Sequence, residues 1–175
     1  MSIYNNQPEN RNFLSPLNFV FTIIKAPTVN FFAQKTNLPG LSISSTSQPN
    51  PFIKVAYSGE HIEFEDLKVT FKVDEDMKNY LEIYNWLKGL GKPEYFGQYK
   101  NLESSPSYSG NGIYSDVSLI ILNSAKKPCF EVTYRDAFPV SLSGLEFDTT
   151  DRDINFLDAT AVFKYTVHDI KPIVD

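Results

Sequence analysis

Residues 66–91, DLKVTFKVDEDMKNYLEIYNWLKGLG, restrict this chain more than any other stretch, because the apolar period changes there from 2 to 3.6. Leu67, Val69, Phe71 and Val73 alternate with Lys68, Thr70 and Lys72, which describes a strand with one buried and one wet face. Asp74, Glu75 and Asp76 follow, where the positive end of a helix dipole favours acids, and Asp74 or Asp76 is placed to cap the helix. Tyr80, Ile83, Tyr84, Leu87 and Leu90 then form a stripe, predicting a helix over about 74–89 that packs this stripe on a sheet. Gly89 or Gly91 is expected to supply the left-handed C-terminal residue, and Pro93 blocks continuation. Met77, Leu81 and Trp86 lie off the stripe. Trp86 is therefore either simply buried or presented to a neighbouring subunit.

One helix of about four turns cannot make a layer by itself, and nearly everything else reads as strand. LNFVFTIIK (17–25) has apolar residues on both faces, as in a strand covered on both sides. NFFAQKTN reads as extended, LPG (38–40) as a turn and LSISS as a short strand. IYSDVSLIIL and CFEVTYRD, joined by NSAKKP, form a hairpin. AFPVSLSGLEFD is extended, and INFLDATAVFKYTVHDI (154–170) reads as one long strand. Ten Tyr and fourteen Phe against one Trp suit pleated, half-buried surfaces. The expected fold is mainly β, an antiparallel sandwich or barrel with one flanking helix. Residues 1–15 are expected to be a flexible arm, 16–175 a single domain, and 92–112 an inserted loop with little regular structure.

Residues 44–65, SSTSQPNPFIKVAYSGEHIEFE, read as a long loop on account of Pro49, Pro51 and Gly59. The loop nevertheless carries Phe52, Ile53, Val55 and Tyr57. Loops so rich in apolar side chains usually pack on something, which makes these four, together with Trp86, the candidate subunit or ring interface.

Chemistry is sparse. A nucleophilic site needs a base, and only His61 and His168 are available; there is no G-x-S-x-G elbow. Cys129, the single cysteine, reads as a small buried hydrophobe. DEDMKNYLE lacks the central Gly and closing Glu of a calcium loop, and DTTDRD (148–153) reads as a solvated turn. GLG (89–91) ends a helix rather than opening one. No catalytic, metal or cofactor residues are expected. With 21 acids against 16 bases and a net charge of −5, the chain shows no basic stripe of the kind that holds nucleic acid. No run is long enough for a membrane span, and the polar start MSIYNNQPENRNFLSPLN predicts no signal peptide and a product that stays in the cytoplasm of the cell that makes it.

The order of these pieces resembles the tail-tube family of contractile-tailed bacteriophages. The resemblance rests on LNFVFTIIKAPTVNFFAQKTNLPG, then a long loop, then FEDLKVTFKVDEDMKNYLEIYNWL, then CFEVTYRDAFPVSLSGLEFDTTDRDINFLDATAVFKYTVHDI. It covers about two-thirds of the chain. It implies a virion tail component in which six subunits close a ring and their sheets join around a channel. The helix would then cover a sheet whose other side belongs to the ring. It also implies tube, sheath or neck proteins as partners, and DNA that passes without specific binding, which suits an acidic chain. PTVNFFAQKTNLPGLSIS, QPNPFIKV and VDEDMKNYLEIYNWLKGLG look most like the members that complete the tube and stabilise the sheath. The repeating tube subunit and a baseplate-side initiator are the alternatives within the family. A free-standing β-sandwich binding module is the alternative outside it.

Overall fold

The computed structural model describes residues 12–91, 99–100, 102, 112–148, 150 and 156–173. The chain enters the fold through β1 (Phe19–Ile23), which turns Phe21 and Ile23 into the core and leaves Val20 and Ile24 exposed. The strand expected to be covered on both sides is therefore covered on one. A short helix, α1 (Pro27–Phe32), follows where a turn at Pro27 leading into an extended segment is expected from the sequence. Pro27 suits a first helical turn, where its missing N–H has no partner to lose. Asn30 fixes the helix to the strand by accepting from the Ile23 N–H (2.7 Å) and donating to the Ile23 carbonyl (3.2 Å).

β2 (Ala33–Thr36) leads into β3 (Leu41–Pro49) and β4 (Lys54–Phe64), which pair with each other and, among the described residues, with no other strand. Residues 44–65 are thus mostly the limbs of a long hairpin rather than a loop. β5 (Leu67–Lys72) then buries Leu67, Val69 and Phe71 as its alternation requires.

α2 (Lys78–Gly91) starts four residues later than expected and is organised by Asn79 rather than by an aspartate cap. The buried Asn79 amide donates to the Lys72 carbonyl at 2.7 Å, and its oxygen accepts from the Asp74 N–H at 3.3 Å. Met77 takes a positive φ of 56° at this junction. Neither Gly89 nor Gly91 has a positive φ. Gly89 matters instead for space, because a Cβ there would meet the Leu102 side chain at 2.4 Å. Tyr99, Lys100 and Leu102, the described residues just beyond α2, are helical where an irregular loop was expected. The remainder of 92–111, like 1–11, lies outside the described residues.

β6 (Ser115–Leu122) and β7 (Pro128–Leu142) form the expected hairpin, its turn closed by the Asn123 side chain accepting from Ala125 and Lys127. β7 does not stop there. Its first half pairs with β6 and β9 (Val167–Pro172); its second half pairs with β8 (Asp158–Lys164). At the change of sheet Ser115 faces Ala137 but Val117 faces Tyr134, so β7 carries an extra residue, and Asp136 adopts φ 54°. The stretch expected to be one final strand breaks at the same level, between β8 and β9. The Thr166 N–H donates to the Arg135 carbonyl at 3.0 Å, tying the two corners together.

The resulting antiparallel fold has one sheet of β1, β6, the first half of β7 and β9, and another of β2, β5, β8 and the second half of β7. Val117, Leu119, Val132 and Tyr134 meet Leu67, Val69, Phe71 and Phe163 in the core. Ala159 and Ala161 are small, and the α2 side chains Ile83 and Trp86 complete the same cluster. Tyr80, Leu87 and Leu90 pack at its margin, whereas Tyr84 is 46% exposed and points away from the sheet, a correction to the predicted stripe. Trp86 is 3% exposed, donates from Nε1 to the Ile113 carbonyl (2.8 Å) and lies under the Lys25 ammonium at 5.1 Å. It is a core residue, not an interface residue. Among the described residues, no helix is long and apolar enough to cross a membrane.

Ile83→Ala should cost ~2–5 kcal/mol in denaturant unfolding, and Asn79→Ala about 1–3 kcal/mol through the backbone groups it abandons. Tyr84→Ala should stay within about 0.5 kcal/mol of wild type in the unassembled chain.

Candidate assembly interface

The hairpin of β3 and β4 is the element that the rest of the fold leaves uncovered. Every β3 residue is exposed, and β4 gains partial cover only at Val55, Gly59 and Phe64. Its sequence explains why the strands could be read as a loop: SSTSQP has no apolar face, and Pro49 sits at the strand end, where no ladder donor is needed. Backbone pairing from Leu41↔Phe64 to Pro49↔Lys54 holds it, interrupted by a shift in register between Ile43 and Ser45. Gly59 permits that irregularity, since a Cβ would lie 2.5 Å from the Ser44 carbonyl oxygen. A two-stranded ribbon without a packed face is marginal in water, which makes this one the candidate for a contact with another surface.

Its apolar side chains are arranged in two groups. Near the root, Ile43 pairs with Ile62 and Leu41 with Phe64; near the tip, Val55 and Tyr57 sit opposite Gln48 and Thr46. The turn itself, Asn50 to Ile53, carries Phe52 at 92% exposure and an exposed Ile53. Of the five proposed interface residues, the structure thus gathers Phe52, Ile53, Val55 and Tyr57 on the hairpin and withdraws Trp86 into the core.

The root is anchored tightly. Gly40 and Glu65 exchange a backbone bond of 3.1 Å and a bond from the Gly40 N–H to the Glu65 carboxylate of 3.2 Å. The Tyr165 hydroxyl donates to the Glu65 carbonyl (3.0 Å) and lies 3.2 Å from His168 Nδ1. Phe64 meets the Tyr165 and His168 rings edge-on at 5.8 and 5.2 Å. Burial, then the nearby Asp66 and Glu65 carboxylates, push the Tyr165 phenol up to about 12. Burial holds the His168 imidazole below its ordinary value, against the opposing pull of Asp169. No pattern in the sequence marks Phe64, Tyr165 and His168 as a cluster, because they meet only where β4 ends beside the β8–β9 corner.

The same geometry leaves His168 poorly equipped as a base: its neighbours are aromatic rings, and the Asp169 carboxylate is taken by Arg135 at 2.6 Å. Cys129 is half-buried at the start of β7, with its thiol 3.8 Å from the Lys127 carbonyl. In DTTDRD, Asp148 accepts from the Thr150 N–H and hydroxyl, and those two bonds lower its carboxyl below the usual range. Residues 149 and 151–153 lie outside the described residues. No group of three metal-ligating side chains occurs among the described residues.

The sequence model of the family described as phage tail tube protein matches residues 12–171. The chain belongs to the phage tail tube protein family. It is 27% identical over 168 residues to the tail tube terminator protein of Enterobacteria phage T4, across 91% of this chain and 90% of that protein. Its fold is shared with the tube-terminating cap of the anti-feeding prophage (TM-score 0.60, 11% identity, 99% of this chain and 100% of that one). It is shared equally with the sheath/tube terminator of the PVC extracellular contractile injection system in its extended state (TM-score 0.59, 13% identity, 93% and 99%). A chain of the anti-feeding prophage baseplate gives a TM-score of 0.62 at 14% identity, over 93% and 97%. The mainly β fold of tail-tube type is therefore the observed one, with a second, short helix added.

Replacing Ile53 and Val55 together by Asp should leave the isolated chain folded, with stability within about 1 kcal/mol of wild type by denaturant titration, and abolish its assembly in sedimentation. The depressed His168 value contributes stability that is fully present above about pH 6.5 and lost as pH falls through the folded-state value. Thermal unfolding should accordingly show a part of the acid destabilisation below that pH that is missing in His168→Gln.

Proposed function

We propose that this chain is a structural virion protein that forms the ring ending a contractile tail tube and stabilising the sheath at that end. The observation that carries the reading is the solvent-exposed hairpin of residues 41–64 on an otherwise well-packed pair of sheets, in a chain similar along nearly its whole length to a tail tube terminator. Further support comes from the open margins of those sheets. Among the described residues, β1, β2 and β9 each pair on one side only, and β1 turns Val20 and Ile24 outward. Free edges and bare apolar residues are hazards in a lone subunit but are covered when subunits close a ring. Six copies, as the family resemblance implies, would join their sheets around a channel for DNA. A net charge of −5 keeps such a channel from gripping phosphates. The work is mechanical, and its partners would be other copies, the tube end and the sheath. The chain would be made in the host cytoplasm and end in the virion tail.

The terminator and the repeating subunit differ in what they do alone. In negative-stain images, purified protein should give separate rings that bind one end of added tail tubes. Long tubes from the protein alone would identify the repeating subunit, and persistent monomers in both samples would identify a free-standing binding module.

A further inference from the structure

The hairpin tip has a chemically matched receptor elsewhere on the same fold. Between the end of β5, the start of α2 and the strand-flanking segments 143–148 and 156–157 lies an open groove of about 690 Å³. Its walls are Phe32, Val73, Met77, Leu145, Phe147 and Phe156. Phe147 and Phe156 are 76% and 73% exposed, so this apolar surface is left uncovered among the described residues. Asp74 and Glu75 line the same groove. The nearby cations are already engaged: Lys72 with Asp158 at 2.7 Å and Lys78 with Asp76 at 2.6 Å. Asp74 Oδ1 is buried without a hydrogen-bond partner. The groove is thus apolar in its walls and carries two acidic side chains in its lining.

The tip is its complement. Across residues 44–59 the only charged side chain is Lys54, directly after the exposed Phe52 and Ile53. The two surfaces do not meet within one chain, since both remain exposed. Resting on the reading of the hairpin as an assembly element, we propose that this groove receives the hairpin tip of a second copy, with Phe52 and Ile53 against its apolar walls and Lys54 beside Asp74 and Glu75. Tip and groove are different surfaces, so the contact is head-to-tail: each subunit gives a tip and takes one, which closes into a ring when the rotation allows. Desolvating the rim charges as a pair sets the register of the insertion, and the apolar side chains supply most of the affinity.

The test uses the full chain with Cys129→Ser, which removes the only native thiol. Ile53→Cys chains mixed with Phe147→Cys chains should give a disulfide-linked dimer under mild oxidation, while Ile53→Cys mixed with Leu81→Cys, on the outer face of α2, should not. Lys54→Glu and Glu75→Lys should each raise the concentration for half-assembly about five- to tenfold, and the double reversal should recover most of that loss. Both charged positions are exposed, so folding is not at stake; Phe147→Asp is a stronger disruption, to be checked by circular dichroism. If Ile53→Asp prevents assembly while Phe147→Asp and Glu75→Lys assemble like wild type, the groove assignment is overturned and the hairpin reading stands. If the Ile53, Lys54 and groove variants all assemble normally, the hairpin reading falls as well. Crosslinking to Leu81→Cys instead would seat the tip on the helix face. Loss of assembly on deleting residues 1–11, with no crosslink to the groove, would assign the groove to the arm. Either result contradicts the proposal.

Discussion

Everything in this fold depends on one strand changing sheets. β7 is hydrogen-bonded to β6 and β9 in its first half and to β8 in its second, and the bulge at Asp136 lets one chain segment turn the corner without losing its ladder. Because the side-chain period of a strand is two, the extra residue also resets which side chains face inward. Val132 and Tyr134 point into the core before the bend, and Ala137 and Pro139 do so after it. Without that reset Asp136 and the bulky Phe138 and Val140 would face inward in place of the small Ala137 and Pro139. The Arg135–Asp169 ion pair and the Thr166–Arg135 backbone bond hold the β9 corner to the same bend.

The division of labour in the chain follows from where apolar surface is spent. In the core, small alanines on β8 leave room for Ile83 and Trp86 of α2, so the helix is an internal part of the domain. Outside it, the hairpin of β3 and β4 has almost no internal packing and depends on its root, where Phe64, Tyr165, His168 and Glu65 interlock. A root tied by these contacts and an exposed limb fit the proposed reach to another subunit, the root fixing direction and the limb supplying exposed surface. The acidic groove beside α2 and the lone lysine at the tip give that surface a chemical preference.

Much of this was legible in the residues. Strict alternation placed β5 with its inward face correct, and the β6–β7 hairpin followed from two apolar runs around NSAKKP. The helix was legible in kind but not in start, because Asp74 to Asp76 look like caps while the buried Asn79 makes the contacts to Lys72 and Asp74. Periodicity also could not place Trp86. It lies off the stripe, yet a helix packed between β7, β8 and α1 is buried over more of its circumference than one lying on a flat sheet. The hairpin limbs looked like a loop, since backbone hydrogen bonds rather than an apolar face define them. The breaks at Asp136 and at Tyr165–Thr166 arise from tertiary geometry, and neither carries a Gly or Pro at the bend to announce it. The apolar side chains of the tip, in contrast, were conspicuous without any knowledge of strand pairing.

The central claim is that the hairpin is incomplete in the single chain and completed by assembly. Hydrogen–deuterium exchange on the unassembled protein and on its rings tests this directly, with the buried amides of β5 and β7 as the internal standard. The account predicts that amides of residues 41–64 exchange far faster than the core before assembly and become strongly protected in the ring, while the core barely changes. A hairpin that exchanges equally fast in both states, or that is already as slow as the core in the single chain, would contradict it.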